Sequence, residues 1–542
     1  MEQIFKNEVQ SDSITLNYTL QEPEKYGIKN YVPTFGNYSI KDMKDGITTG
    51  KQYLKKLKQF DYSTLSESQK ITYDVLSTYL EDQGKNKKLL YYNETLSPTT
   101  GLQAQLPVLL AEYHFTEKQD IVDYLELLPK INDYFKQIIS FEKQKSKKGL
   151  FMSTAAVNDV ISQCQAFISN PKNNYMITLF NSKMDQFEGL TDQEKINFKS
   201  KNEAAVFNHV IPAYKELISA LCTLKDTGKN SQGLSHFKDG KDYYKYLVKT
   251  VTGSSRSMKN INSLLDSTIT ANMKKLSQIS KDDPEILNKI QNYYYPLTNP
   301  DEILTYLKGV IDSDFPSLKE TECCMKYVDK SLEDYLSPAF YLTPALDSTA
   351  ENCIYINKNQ KYDLSEIFPT IAHEGYPGHL YQNCYYNQTS PCPLRCLLNF
   401  EGYSEGWATY AELYSYSVSG LDTSVAKLLK YNTIIMLCLD AKCDIGINYY
   451  GWSMKDTMKY LKNFGITSTE GCQKLYNYIV EEPCNYLKYT LGYLEFQTLR
   501  NKAQKQLGEK FNAKEFHTFL LDMGPCQFEV LDKYLEKWMK TQ

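Results

Sequence analysis

The stretch Ile371–Gln382 constrains the fold of this chain more than any other. It reads I-A-H-E-G-Y-P-G-H-L-Y-Q and holds two of the only six histidines in 542 residues. His373 and His379 are six residues apart, so an ideal helix of about 100° per residue would turn them roughly 240° away from each other. Pro377 and Gly378 lie between them and permit a break, because proline removes a backbone donor and glycine adopts unusual dihedral angles. We therefore predict that the backbone bulges here and brings His379 back beside His373.

Two imidazoles beside a glutamate are typical of a hydrolytic zinc centre. Zinc takes neutral imidazoles and a carboxylate as ligands and keeps one position for water. The ion lowers the pKa of that water towards ~7 and polarises the carbonyl under attack. The sequence therefore predicts one Zn²⁺ ion held by His373 and His379. Glu374 is the predicted general base, which takes a proton from the metal-activated water and passes it to the leaving amine.

An acidic segment that follows, Glu401–Glu412, supplies candidates for the third ligand. It reads E-G-Y-S-E-G-W-A-T-Y-A-E. Glu405 follows Glu401 by one helical turn and Glu412 follows Glu405 by two, so all three lie on one helix face. We predict Glu405 as the ligand, with Glu401 and Glu412 orienting the imidazoles. Glu401 as the ligand is the alternative.

The bulk composition disfavours two kinds of partner. The chain has 61 basic and 65 acidic residues, a net charge of -4, whereas a nucleic-acid-binding protein carries a basic excess. No apolar run approaches the ~18 residues of a membrane span. The residues after Met1 lack the pattern of a signal peptide. Either the protein is cytoplasmic, or it is exported and its signal segment is absent from this sequence.

Arginine is rare in this chain. Only Arg256, Arg395 and Arg500 are arginines, and every other basic side chain apart from the histidines is lysine. Lysine cannot replace the planar, two-pronged donor of a guanidinium group. Each of the three positions is therefore a candidate for a specific role.

Helical patterning dominates the chain. Ser66 is a candidate N-cap, and Thr191–Glu194 has the T-x-x-E form of a capping box. The one clear strand signal is Asn352–Asn357, which is short, rich in β-branched and aromatic residues and bounded by turn formers. We predict a mainly α fold, in which residues 1–300 form a helical half that makes one wall of a cleft. Residues 301–542 form the catalytic half that carries the zinc site.

Four segments resemble the bacterial family called domain of unknown function 885. The first, H-E-G-Y-P-G-H-L-Y-Q, resembles its H-E-x-x-P-G-H-H-x-Q signature, with Leu380 in place of the second paired histidine. E-G-W-A-T-Y-A-E resembles its E-G-W-A-x-Y-x-E segment. Pro483–Gly492 resembles a P-G-Q-A-x-x-Y-x-x-G segment, with Cys-Asn-Tyr in place of Gly-Gln-Ala, and Phe516–Pro525 resembles the closing block. The resemblance covers roughly residues 340–540.

This resemblance implies an architecture. The family's fold is similar to carboxypeptidase Taq and, more distantly, to thimet oligopeptidase and angiotensin-converting enzyme. Those proteins are large, mainly helical zinc peptidases with a deep cleft and a small β-sheet next to the metal site. In such enzymes a strand beside the metal helix pairs with the substrate backbone. The resemblance gives that role to four residues of the predicted strand: Ile354, Tyr355, Ile356 and Asn357.

The resemblance also implies roles for residues near the C-terminus. A tyrosine or histidine normally steadies the oxyanion opposite the metal. Tyr489 is the first candidate and His517 the second. Arg500 lies 11 residues after Tyr489, within about 20° of its face on a common helix. We therefore predict that Arg500 binds a substrate carboxylate.

The sequence thus predicts a zinc-dependent metallopeptidase that hydrolyses oligopeptides, because a deep helical cleft would exclude folded proteins. Carboxypeptidase action is one form that this activity could take. The alternative is a non-catalytic peptide-binding protein of the cell surface that retains the peptidase fold. A third hypothesis is a metal hydrolase that acts on another amide. Family members often carry secretion or lipoprotein signals, which favours an extracellular or cell-surface location.

Overall fold

Helices account for most of the described chain, as the sequence patterning predicts. The structure, a computed structural model, describes residues 1–319, 321–328, 330, 333, 336–348 and 352–542. The α-helices and β-strands within these ranges are named α1 to α25 and β1 to β3 in chain order. None of these helices is both long enough and apolar enough to cross a membrane.

The first 299 residues are helical and carry no strand among them. Their helices are α1 (Glu2–Val9), α2 (Ser13–Thr19), α3 (Ile40–Leu57), α4 (Glu67–Gln83), α5 (Leu102–Ala111), α6 (Lys118–Leu127), α7 (Ile131–Lys147), α8 (Thr154–Ile168), α9 (Tyr175–Gln186), α10 (Asp192–Ala205), α11 (Ile211–Leu224), α12 (Gly240–Thr252), α13 (Met258–Asp282) and α14 (Ile286–Gln291). The predicted caps are confirmed. Ser66 starts α4 and Thr191 starts α10, each through a complete capping box.

The second half contains the sheet and the remaining helices. Its elements are α15 (Pro300–Val310), β1 (Cys323–Tyr327), β2 (Ala339–Leu342), β3 (Asn352–Ile356), α16 (Phe368–Glu374), α17 (His379–Gln388), α18 (Pro393–Leu397), α19 (Glu401–Ser415), α20 (Thr423–Ile445), α21 (Met454–Lys462), α22 (Thr469–Glu481), α23 (Asn485–Leu507), α24 (Ala513–Met523) and α25 (Phe528–Trp538). Only β3 was predicted from the sequence as a strand.

The small sheet has the order β1-β3-β2. The central strand, β3, pairs in parallel with β1 and antiparallel with β2. The sequence does not single out β2, because Pro338 and Pro344 flank it and are typical of a loop. As an outer strand, β2 has one edge that is unpaired within the described sheet. This edge matters for the functional site.

Two large apolar cores stabilise the fold. The main core contains Tyr243 of α12, Trp407 of α19 and Leu531 of α25, so it draws on both sides of residue 300. The second core is built from residues between 35 and 224, together with Val328. The division of the chain at residue 300 stays a prediction, and helices from both sides of it share the main core.

Glycines let α19 and α23 pack backbone to backbone. A Cβ atom at Gly406 would lie 2.6 Å from the Cα of Gly492, and one at Gly402 would lie 2.1 Å from the carbonyl oxygen of Thr252. Both distances are far below van der Waals contact. These two glycines of α19 therefore hold it tightly against α23 and the end of α12, and thereby fix the glutamates that α19 carries.

Candidate metal centre

The predicted break in the helix lies between α16 and α17. The first of these helices ends at Glu374, and the second begins at His379. The segment between them contains a cis peptide bond, Tyr376–Pro377. The break removes the offset of roughly 240° that an unbroken helix would place between His373 and His379. Their ring centroids lie 4.9 Å apart.

Two contacts define the shape of this break. A Cβ atom at Gly378 would lie only 1.8 Å from the carbonyl oxygen of His373, so the turn has room for glycine alone. Trp407 of α19 donates its indole N–H to the carbonyl oxygen of Pro377 at 2.8 Å and is fully buried. The turn is therefore anchored to the same helix that supplies the glutamates.

Glu405 brings a carboxylate oxygen between the two imidazoles. Its Oε2 atom lies 3.5 Å from Nε2 of His373 and 3.4 Å from Nε2 of His379. His373, Glu374 and His379 each offer a ligand atom, and these atoms all lie within 4.8 Å of one another. These three side chains could hold a metal ion. Glu405 lies outside that group of three but contacts both of its imidazoles, so Glu374 and Glu405 are the two candidates for the carboxylate ligand.

The other two predicted glutamates behave differently. Glu412 accepts a hydrogen bond from Nδ1 of His373 at 3.1 Å, which fixes the ring with Nε2 towards Glu405. Glu401 accepts instead from Nζ of Lys488, at 3.2 Å. Among the described contacts Glu401 meets neither imidazole, because it lies one turn earlier and faces α23. The predicted orienting contact is thus present for Glu412 and absent for Glu401.

Opposite charges dominate the electrostatics of the cluster. Burial disfavours the charged form of His373, but Glu405, Glu412 and Glu374 outweigh it and raise its pKa well above the ordinary value. Burial likewise opposes ionisation of Glu405, yet the two imidazoles lower its pKa far below the usual range. The cluster is built around a carboxylate that stays ionised, and it favours a cation beside that carboxylate.

A cavity of about 590 Å³ opens beside this cluster. Its wall includes β2, one face of α17, part of α18 and Tyr489 of α23. The ring of Tyr489 lies 6.3 Å from that of His373, and burial together with nearby carboxylates raises the pKa of its hydroxyl. The backbone N–H of Tyr341 in β2 donates to Oε2 of Glu374 at 2.9 Å and so orients that carboxylate.

The predicted substrate strand does not face the cavity. Ile354 and Ile356 are fully buried, Asn357 donates its side-chain amide to two backbone carbonyls, and the ring of Tyr355 stacks on Phe340. As the central strand, β3 already has both of its edges paired. The strand that lines the cavity is β2, which is the correction that the tertiary structure makes.

His517 and Arg500 lie outside the cavity wall. His517 donates from Nδ1 to the carbonyl oxygen of Asp314 at 2.6 Å and accepts at Nε2 from Tyr410 at 2.9 Å. It is stacked on Phe315 with centroids 4.2 Å apart, and burial lowers its pKa to about 4. Arg500 donates to the hydroxyl of the same Tyr410. The structure thus makes His517 a core residue and does not bring Arg500 to the cluster.

The sequence assigned no particular role to Arg395, the second of the three arginines. It lies in α18, lines the cavity and is only 5% exposed. Its Nη2 atom donates to the carbonyl oxygens of Met523 and Pro525, both at 2.8 Å. The rarity of arginine was the one signal that could have pointed to it.

Comparison with known proteins identifies the family. The family described as "Bacterial protein of unknown function (DUF885)" matches residues 25–535. The chain belongs to the DUF885 family. No curated protein matches it.

Two solved structures resemble this DUF885 chain. One is the crystal structure of a "putative lipoprotein" from Colwellia psychrerythraea, with a TM-score of 0.88, 17% identity, and coverage of 100% of this chain and 98% of the other. The second, described in the same words and as of unknown function, is from Shewanella oneidensis. Its TM-score is 0.66 at 15% identity, over 91% of this chain and 92% of the other. At such identities the likeness shows a shared fold.

Proposed function

We propose that this DUF885 protein is a zinc-dependent metallopeptidase that hydrolyses oligopeptides. The spacing of Glu405 Oε2 from the two imidazole Nε2 atoms, 3.5 Å and 3.4 Å, carries the proposal. Two ligand atoms that share a tetrahedral zinc ion at about 2.0–2.1 Å lie roughly 3.4 Å apart. A charge-assisted N–H···O⁻ hydrogen bond would be shorter, about 2.7–2.9 Å. The donors of this site therefore suit a shared ion better than direct pairing.

The residues around the site suit peptide hydrolysis. A bound zinc ion would supply Lewis-acid chemistry that acidifies a water molecule and polarises the scissile carbonyl. Glu374, oriented by the N–H of Tyr341, takes the proton of the attacking water and delivers it to the leaving amine. Tyr489 donates its hydroxyl proton in a hydrogen bond to the oxyanion. The raised pKa of Tyr489 favours this role because it keeps the donor protonated.

The substrate backbone pairs with β2 in this proposal. That strand forms an edge of the described sheet and lines the cavity, so an extended peptide can add to it as a further strand. The similarity to carboxypeptidase Taq that the sequence resemblance implies for the family's fold favours a peptide rather than another amide as substrate. The descriptions of the two structural relatives support a cell-surface location.

The test is peptide digestion by the zinc-loaded protein. A mixed peptide library is incubated with and without a chelator, and the products are read by mass spectrometry. We expect cleavage that needs zinc and that falls about 10²- to 10⁴-fold in Glu374→Gln, with zinc content unchanged, because that variant removes only the base. Glu302→Gln, on the exposed first turn of α15, is the matched control and retains activity.

Two results would support the other hypotheses. Peptide binding without turnover, insensitive to chelator, would indicate a non-catalytic peptide-binding protein. Zinc-dependent hydrolysis of simple amides with no cleavage in the library would indicate a hydrolase of another amide class.

A further inference from the structure

The far end of the cavity holds a buried cation without an anion. Arg395 is only 5% exposed, and a guanidinium stays charged at every pH that a protein tolerates. Among the described residues its side-chain hydrogen bonds go from Nη2 to the backbone carbonyls of Met523 and Pro525. Its Nε atom is buried and has no acceptor within those residues. No carboxylate among them forms an ion pair with it.

Burying a charge without an ion-pair partner costs free energy of folding. A buried arginine of this kind therefore needs an explanation. The two carbonyl oxygens fix the guanidinium in place but do not neutralise it. Arg256 shows the contrast, since it pairs with both carboxylate oxygens of Glu495, at 2.8 and 3.0 Å. Arg395 is thus fixed in position, and no carboxylate among the described residues neutralises its charge.

The cavity is charged at its two ends in opposite ways. Its acidic lining residues, Glu374 and Glu405, both belong to the metal cluster. Among the described residues that line the cavity, Arg395 is the only lysine or arginine. An anion that enters this cavity is therefore attracted to the end formed by α18.

Helix α17 runs along the cavity between its two ends, so its rise per residue gives the distance between them. His379, Gln382, Asn383 and Tyr386 all line the cavity and follow one another at the i, i+3, i+4 and i+7 positions of one helix face. His379 and Tyr386 are therefore about 10 Å apart along the axis at 1.5 Å per residue. The guanidinium carbon of Arg395 lies 5.5 Å from the ring of Tyr386. A span on the order of 10 Å equals about three extended residues at about 3.4 Å each. Roughly 2 Å of it is needed between the ion and the scissile carbonyl and about 3 Å for the hydrogen bond to the guanidinium, which leaves room for one or two peptide residues.

We propose that Arg395 binds the C-terminal carboxylate of a peptide substrate, one or two residues beyond the bond that is cleaved. This inference rests on the proposed peptidase function and makes the enzyme a carboxypeptidase. A carboxylate at this position accepts hydrogen bonds from the guanidinium and supplies the missing negative charge. The uncharged side chains of Gln382 and Asn383 line the cavity between the two ends, where the released residues would lie.

The test compares one acylated tetrapeptide with neutral side chains as its free acid and as its C-terminal amide. For the zinc-loaded wild type we expect kcat/KM at least about 100-fold higher on the acid. In Arg395→Gln the value for the acid falls about 10- to 100-fold and that for the amide changes less than about threefold, because a charged hydrogen bond is lost only with the acid. Arg395→Lys recovers part of the loss, since it restores charge without the fork.

Arg256→Lys is the matched control, because it alters an arginine that is already paired outside the cavity, and it leaves the acid-to-amide ratio unchanged. A merely structural role of Arg395 would lower both rates together and keep the ratio, which would overturn the proposal. If Arg395→Gln does not fold, the wild type and Arg395→Lys decide, and equal wild-type rates on acid and amide refute the subsite. Arg395-dependent cleavage of an amide that carries an aspartate would reassign the site to a side-chain carboxylate.

Failure of the proposed function is distinguishable from failure of the subsite. Cleavage of acid and amide at the same rate leaves the peptidase standing and refutes the subsite. If neither peptide is cleaved, calorimetry of both with the zinc-loaded protein decides. Binding of the acid at least about 10-fold tighter than the amide, lost in Arg395→Gln, supports the subsite, and equal binding refutes it.

Discussion

At the scale of single residues, the assignment of the third ligand depends on which glutamate of α19 meets the imidazoles. Glu405 meets both, whereas Glu401 pairs with Lys488. We expect Glu405→Gln to weaken zinc binding by more than about 100-fold, because even the loss of a residue that only orients a ligand costs about 10- to 100-fold. Glu401→Gln should leave it within about threefold, because Glu401 pairs with Lys488 and contacts neither imidazole within the described structure. Zinc titration against a competing chelator measures both. Equal losses in the two variants would contradict the assignment.

His517 makes a separate residue-scale prediction about pH. Burial lowers its pKa to about 4, whereas an unfolded histidine titrates near 6.5. Between those values the unfolded chain takes up a proton that the folded chain refuses, so the stability present above pH 6.5 is lost as pH falls towards 4. The loss is at most about 3 kcal/mol.

The measurement is the free energy of unfolding from denaturant titrations between pH 4 and 7. Asn is the test substitution, because its amide can donate to the carbonyl of Asp314 and accept from Tyr410 without a proton to gain. His517→Asn is expected to be less stable at pH 7 but to show a shallower pH slope than the wild type. Identical slopes would mean that His517 does not titrate as its burial requires.

At the scale of elements, the break between α16 and α17 should tolerate glycine alone at its end. In Gly378→Ala the new Cβ would lie 1.8 Å from the carbonyl oxygen of His373, so the turn must open and separate the histidines. We expect a loss of stability of more than about 3 kcal/mol, together with loss of zinc binding.

Gly309→Ala in α15 is the control, because nothing lies within 4 Å of its Cβ position and alanine favours a helix by about 0.5–1 kcal/mol. Thermal unfolding and zinc content report on both variants. Full zinc binding by Gly378→Ala would show that the close approach is not needed.

Sequence patterns predicted some of the elements of this fold but not others. The helix caps at Ser66 and Thr191 were predictable because a cap is a contact between near neighbours. The central strand β3 was predictable from its β-branched residues, but β2 and β1 were not, since their pairing to β3 depends on residues far away in the chain. For the same reason the sequence assigned the predicted substrate role to β3, whereas the strand that lines the cavity is β2.

At the scale of the whole molecule, the candidate metal centre joins α16, α17 and α19, and α19 is packed on α23. An ion that binds only the folded state stabilises it, by about 4 kcal/mol at a free concentration 1,000 times its dissociation constant. We therefore expect chelator to lower the unfolding temperature of the zinc-loaded protein and added zinc to restore it. His379→Ala should show no response to either treatment. A zinc response that survives this substitution would place the ion elsewhere.

The sequence by itself determined the local features of this protein. It determined the helical character, the break required between His373 and His379, and the helix face that carries the three glutamates, because each follows from the spacing of near neighbours. Only the tertiary structure decided that Glu405 meets the imidazoles, that β2 lines the cavity, and that Arg395 rather than Arg500 reaches it. Those outcomes depend on how α17, α18, α19 and the sheet pack together, and no periodicity within one segment encodes the contacts it makes with another.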